Sequence, residues 1–331
     1  MKLSLAIVGL PNVGKSTLFN ILTKQNVLAA NYPFATIDPN VGIVPVPDER
    51  VDKLTKLSNS KKVIPAVVEF YDIAGLVKGA NQGEGLGNQF LSHIRDTQAI
   101  VVVLRTFRDD NVVHVENSVD PLRDMEIINA ELALKDLDAV EKRLDKLEGE
   151  ARTGDKAAIK NLELLRRIQE ELAEGNLIQK YAEEPLVKEM QLLTAKKQIY
   201  LLNGGEKDAS EELKNKIKEM GADYVSVDLS TADGVPELIK KGYEILDLIS
   251  FLTTGEDETR AWTIRRGAKA PEAAGTIHTD FEKKFIRAEV INWQKLLEAG
   301  GWSEAKQKGW LRLEGKDYVV QDGDVLVIRH G

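Results

Sequence analysis

The 331-residue sequence contains no cysteine. That absence excludes a disulfide framework, cysteine-ligated zinc, iron–sulfur clusters and a thiol nucleophile. A secreted disulfide scaffold is excluded with them. Aromatic residues are scarce, at 6%, which argues against a platform for stacking single-stranded nucleic acid. Positive charge is not in excess: 45 Lys and Arg stand against 53 Asp and Glu, a net charge of -8. A basic coat for DNA is not expected, although a local basic patch is compatible with that total. No apolar run approaches the ~20 residues that span a bilayer. Residues 1–8 are briefly apolar and run into a glycine loop and Lys15. They are expected to form a buried strand rather than a signal peptide. A cytoplasmic monomer without membrane or DNA partners is expected.

The length suits two or three domains. In residues 1–120, segments 3–8, 63–71 and 99–105 read as strands. The run Ile100-Val101-Val102-Val103-Leu104 has no polar alternation, as in a parallel strand buried on both faces. An α/β fold is expected there. Residues 121–195 change character. Leu134, Leu137, Val140, Leu144 and Leu147 recur at steps of three and four, as do Ala158, Leu162, Leu165, Ile168 and Leu172. Two long helices joined by a turn at 151–155 are predicted, with these stripes as their mutual core. Strands are expected again at 198–202 and 224–228, then a helix near 236–251. The α/β domain is thus expected to comprise residues 1–120 and 196–248, interrupted by a helical pair at 121–195. Residues 249–331 read as a small mixed β-domain. Its candidate strands are 260–265, 287–291, 318–320 and 325–329, with a tight turn at Gln321-Asp322-Gly323-Asp324.

The strongest chemical signal is Gly9-Leu10-Pro11-Asn12-Val13-Gly14-Lys15-Ser16. It matches G-x-x-x-x-G-K-[ST] between a strand and an apolar-periodic segment. The glycines let backbone N–H groups curl toward phosphate oxygens, and the helix N-terminus adds its dipole. Lys15 suits the β- and γ-phosphates, the Ser16 hydroxyl suits Mg²⁺, and Thr17 begins the helix. A second piece is Asp72-Ile73-Ala74-Gly75 at a strand end. There Asp72 can hold a metal-bound water and the Gly75 N–H can approach a γ-phosphate. In the Pro-containing loop 30–40, Thr36 is the candidate to close onto Mg²⁺.

These segments, together with Gly83-Glu84-Gly85-Leu86-Gly87-Asn88, resemble the YchF subfamily of Obg-like P-loop NTPases. The runs 260–264 and 273–282 resemble that family's ubiquitin-like TGS domain. The resemblance covers nearly the whole chain. It implies a Ras-like domain with an inserted helical hairpin and a C-terminal β-grasp domain. It also implies a ribosome-contacting nucleotide hydrolase that often prefers ATP to GTP. Asn203-Gly204-Gly205-Glu206 resembles the subfamily's N-x-x-E form of the base motif. Asn203 has the geometry to pair with an adenine edge, and Glu206 is one methylene too long to reproduce the guanine clamp of N-K-x-D. Ser226 is a weaker base-side candidate. Leu76 stands where many GTPases orient water with Gln, and Val102 stands where some relatives carry a His. The catalytic group is therefore unassigned, and a low intrinsic rate is expected. His93 is read as structural, as are His278 and Asp280. Asn12 resembles an Asn that coordinates K⁺ in several relatives. Lys283, Lys284, Arg287, Arg265, Arg266 and Lys269 are candidates for a face toward ribosomal RNA. Many relatives carry a redox-linked Cys in the first switch run, where this chain has Ala35. The alternatives to an ATPase are a conventional Obg-type GTPase and a non-hydrolysing nucleotide-gated adaptor.

Overall fold

The computed structural model describes residues 3–24, 40–72, 94–109, 112, 114 and 118–331. Two six-stranded sheets organise them. The first contains β1 (Leu3–Val8), β2 (Val41–Pro45), β4 (Val67–Asp72), β5 (Ala99–Arg105), β6 (Lys197–Asn203) and β7 (Asp223–Val227). Their order is β2-β4-β1-β5-β6-β7. Every pairing is parallel except β2 with β4. All seven residues of β5 are buried, which explains its unbroken apolar run. The register sets Ile7 against Asp72, Val8 against Val102, Arg105 against Asn203, and Asn203 against Val227. The carboxyl ends of five parallel strands therefore open on one edge. β1 sits where the chain first turns one way, toward β4, and then the other, toward β5. Ligands bind α/β sheets at such a switch point.

The helical pair is α3 (Pro121–Ala151) and α4 (Lys156–Ala173). Asp120 caps the first helix by accepting from Arg123 N, and Asp155 caps the second by accepting from Ala157 N. Val140, Leu144, Leu147, Ala158, Leu165, Ile168 and Leu172 form a core of their own. Leu134, expected in that stripe, is 59% exposed instead, and Ala133 is buried in its place. The root of the pair is polar. Asp136, fully buried, accepts from Leu193 N at 2.9 Å, Thr194 N at 2.7 Å and Thr194 Oγ1 at 2.6 Å. Nearby, Lys196 Nζ donates to the carbonyls of Arg95 at 2.8 Å and Thr97 at 2.5 Å.

The second sheet has β3 (Lys62–Ile64), β8 (Leu248–Thr254), β9 (Glu258–Arg265), β10 (Phe285–Asn292), β11 (Arg312–Glu314) and β12 (Asp324–His330). Its order is β11-β10-β12-β8-β9-β3. A hairpin, a helix at Ala270–Ile277 packed on one face, and a final strand parallel to the first make the C-terminal part a β-grasp arrangement. The other face is covered from far away in sequence. Helix α2 (Glu49–Ser58) places Val51 and Leu54 against Leu252, Ala261, Ile291 and Val325. Strand β3 then pairs in parallel with β9. Arg50 bridges Asp48 at 2.7 Å and Asp322 at 2.8 Å, and Ser60 Oγ donates to the Gly255 carbonyl.

Three readings from the sequence are corrected here. The single strand expected at 63–71 is two strands in different sheets, separated at Pro65, which cannot donate to a ladder. The helix expected near 236–251 stops at Ile245, and Leu248–Thr254 is a strand. Asp247, at φ 51°, sits in the left-handed region between them, which ends the helix. Residues 318–320 contribute only an isolated bridge from Val319 to Lys269. Among the described residues, no helix is long and apolar enough to cross a membrane.

Leu54 is completely buried between α2 and the second sheet. Leu54→Ala is expected to destabilise the chain by about 2–5 kcal/mol. Denaturant unfolding should show that loss; an unchanged midpoint would contradict the packing role. Burial pushes the Lys196 amine down to about 8, against the opposing pull of Asp136 and Asp96. Between that value and its ordinary 10.5, the unfolded chain holds a proton that the folded chain has released. Unfolding free energy should therefore rise with pH across this window. Relative to Lys196→Met, the gain is expected to be on the order of 1–3 kcal/mol. Parallel pH profiles of the two proteins would contradict it.

Candidate functional site

The predicted phosphate loop forms at the end of β1, ahead of helix α1 (Lys15–Lys24). Gly9 has a steric reason to be glycine: an added Cβ would lie 2.7 Å from the Val103 carbonyl oxygen. Gly14 has two. Its φ is 108°, and a Cβ would meet Asn203 Nδ2 at 2.4 Å. Asn12 also adopts positive φ, at 60°, which asparagine tolerates well. The first helical bond runs from Leu18 N to the Gly14 carbonyl at 2.9 Å. No acid lies in the first turn of α1, so its dipole and free N–H groups face the loop uncompensated. Val13 is buried and Pro11 half-buried, while Ser16 and Thr17 are exposed at the mouth.

Lys15 Nζ donates to the carbonyls of Gly9 at 2.9 Å and Leu10 at 2.7 Å. Burial lowers its pKa, and the charge of Asp72 opposes that shift. Asp72 is raised by burial and held down by Lys15. The two charges thus feel each other across the site. Asp72 Oδ1 is buried without a hydrogen-bond partner. An orphaned carboxylate oxygen beside a phosphate loop is the arrangement that a hydrated cation or its water would satisfy. Among the described residues there is no cluster of three or more acidic or histidine side chains suited to a metal. A metal here would depend on hydroxyls and on the ligand's own oxygens.

A cavity of about 570 Å³ opens beside the loop. Asn12, Gly14, Lys15, Ser16 and Thr17 form one side. Phe107, Arg108, Asp109 and Val112 line it after β5, and Asp228, Leu229 and Ser230 line it after β7. Motif reading misses both groups. Their only sequence signal is position, just past the carboxyl ends of strands that flank the phosphate loop. Ser226 lies within β7 and is not among the lining residues; Ser230 takes that side. Asn203 lines the cavity, but its amide is engaged within the protein. Nδ2 donates to the Val13 carbonyl at 2.8 Å, and Oδ1 accepts from Leu229 N at 3.1 Å. Nδ2 retains a second N–H and Oδ1 a second lone pair, and the two internal bonds fix the amide's orientation in the cavity wall. Glu206 is exposed and lies outside the lining. Val102 is fully buried in β5. Thr36, Gly75, Leu76 and His93 fall outside the described residues.

Residues 4–142 match the family model for the 50S ribosome-binding GTPase, and residues 248–331 match the YchF-GTPase C-terminal model, described as a protein of unknown function. The chain is 46% identical to the ribosome-binding ATPase YchF of Bacillus subtilis, with 99% of both chains covered. The chain belongs to the YchF family. It is also 44% identical to Obg-like ATPase 1 of Oryza sativa subsp. japonica, covering 99% of this chain and 92% of that one. The solved Schizosaccharomyces pombe YchF GTPase superposes with a TM-score of 0.83 at 39% identity, over 99% of this chain and 98% of that one. The YchF resemblance read from the phosphate loop and Asp72 therefore extends through both sheets.

Gly14→Ala is expected to abolish nucleotide binding while leaving most of the fold intact. The methyl group would collide with the Asn203 amide and strain a positive φ. Isothermal titration alongside thermal melting checks this. Retained affinity would show that the loop relaxes around the methyl group.

Proposed function

We propose that this chain is a Mg²⁺-dependent nucleoside-triphosphate hydrolase, preferring ATP to GTP, that works as a ribosome-associated switch in the cytoplasm. One observation carries the reading: Lys15, the open N-terminus of α1 and the unpartnered Asp72 oxygen converge on one sheet edge. The relatives named as ribosome-binding ATPases support the same choice. So does the base side of the cavity, where Glu206 stands away from the lining and no N-K-x-D clamp is present.

The phosphates bind to the backbone N–H groups of residues 12–17 and to the α1 dipole. Lys15 leaves the Gly9 and Leu10 carbonyls for the β- and γ-phosphate oxygens, where its charge is better matched. Ser16 and Thr36 would be the direct ligands for Mg²⁺, with Asp72 holding it through water. The ion supplies neutralisation of the phosphate charge. Leu76 offers no hydrogen bond to a water, so the isolated chain positions the phosphates without activating the nucleophile. A low basal rate, raised by the partner, follows. Asn12, held at the cavity rim, is the candidate K⁺ contact.

The functional units we assign are residues 1–120 with 196–248 for nucleotide, 121–195 as the inserted helical unit, and 249–331 as a TGS domain. Lys283, Lys284, Arg265 and Arg287 are exposed on that last unit. Arg266 and Lys269 are paired with Asp247 and Asp317, so they contribute less to a face for ribosomal RNA.

Direct titration with ATP and GTP, and phosphate release with and without ribosomes, test this reading. ATP should bind more tightly than GTP, ribosomes should raise turnover, and Lys15→Ala should cut affinity by about 100-fold or more. Rates in KCl should exceed those in NaCl at equal ionic strength. GTP binding far above ATP would favour the Obg-type GTPase. No phosphate release even with saturating ribosomes would favour a non-hydrolysing adaptor.

A further inference from the structure

Arg105 is 1% exposed and is among the largest fully buried side chains. A guanidinium is costly to bury unless its donors are matched. Here each of its three nitrogens donates to a backbone carbonyl: Nε to Phe107 at 3.2 Å, Nη1 to Val112 at 2.8 Å, and Nη2 to Asp109 at 2.9 Å. The guanidinium also lies 4.4 Å from the centre of the Phe107 ring, a cation–π contact. Residues 106–109 have neither helix nor strand, so no ladder of their own holds them. Three further bonds tie this stretch to the end of β6. Thr106 N and Phe107 N donate to the Asn203 carbonyl at 2.9 and 3.2 Å, and Thr106 Oγ1 donates to it at 3.0 Å.

Phe107, Asp109 and Val112, whose carbonyls Arg105 gathers, are themselves cavity-lining residues, and Arg108 between them is a fourth. They belong to the stretch that follows β5, separate in the chain from the phosphate loop that follows β1. Among the described residues, the Arg105 side chain makes no hydrogen bond to the phosphate loop. We propose that Arg105 is a positioning residue that presets the base-side wall of the cavity, so that recognition of the nucleoside depends on it while recognition of the phosphates does not. This rests on the reading of the cavity as a nucleotide site. Arginine suits the task because its planar fork reaches three carbonyls at once; lysine, a point charge on a flexible stem, cannot hold all three in one geometry.

The test separates the two ends of the ligand. Arg105→Lys and Arg105→Gln are titrated with ATP, GTP and inorganic tripolyphosphate, each with Mg²⁺. Affinity for whichever nucleotide the wild type binds should fall about tenfold, a loss of about 1.4 kcal/mol. Affinity for tripolyphosphate should stay within about twofold. A parallel loss for all three ligands, or no loss for the nucleotide, overturns the proposal. If the wild type binds GTP rather than ATP, the ATP preference fails but the Arg105 comparison still decides. If it binds neither nucleotide more tightly than tripolyphosphate, the base wall has no role and this proposal falls. Should the variants not fold, hydrogen exchange of residues 106–112 in the wild type decides instead. Protection before nucleotide is added is expected. Exchange at unstructured rates until nucleotide arrives would show that Arg105 does not preset the wall.

Discussion

Three loops meet at one asparagine. Asn203 is 4% exposed, at the end of β6. Its amide binds the phosphate loop at Val13 and the β7 exit at Leu229, and its carbonyl holds the β5 exit at Thr106 and Phe107. A buried amide is tolerated only when its polar atoms are satisfied. Here the amide is satisfied only when two of the loops are in place, and the backbone carbonyl of the same residue holds the third, so the geometry of the mouth is cooperative. Gly14 follows from the same contact, since the Asn203 amide fills the space a side chain would need. The parallel register brings these loops to one edge, and Asn203 fixes their spacing once there.

The electrostatics of the mouth follow from that closure. Lys15 and Asp72 are partly withdrawn from water, and burial disfavours the charged form of each while their mutual attraction favours it. A site held this way is ready for a charged ligand. A triphosphate would supply an anion for the Lys15 ammonium, and a cation would satisfy the orphaned Asp72 oxygen. The helix dipole contributes in the same sense. None of these elements requires the loops to be rebuilt on binding.

Chemistry carried by contiguous residues was legible in the sequence. The phosphate loop and Asp72 are local patterns whose strand–loop–helix setting can be read directly, and their family resemblance covers the chain. Long-range packing was not legible. Nothing near Asn203 indicates that its amide reaches Val13, 190 positions away. The wall at 107–109 and 112 has no motif, because backbone carbonyls and one buried arginine shape it. Apolar runs were ambiguous in type: Leu248–Thr254 continues the hydrophobic character of the preceding helix, and only the turn at Asp247 separates them. Leu134 fits a helical stripe by spacing, yet faces outward because Ala133 takes the inner position.

The segment that joins the two sheets has a consequence for how the chain acquires its shape. Lys61 meets Asp257, 196 positions later, and β3 beside it has no partner until β9 exists. At ordinary synthesis rates of about 5–20 residues per second, that wait is on the order of ten seconds or more. Throughout it, Val51 and Leu54 of α2 lack the second-sheet residues Leu252, Ala261, Ile291 and Val325 that cover them. The N-terminal part therefore cannot finish folding as it emerges. The second sheet cannot close before β12 has been made, because β12 lies between β8 and β10. Such high contact order implies slow maturation and a newborn chain vulnerable to aggregation.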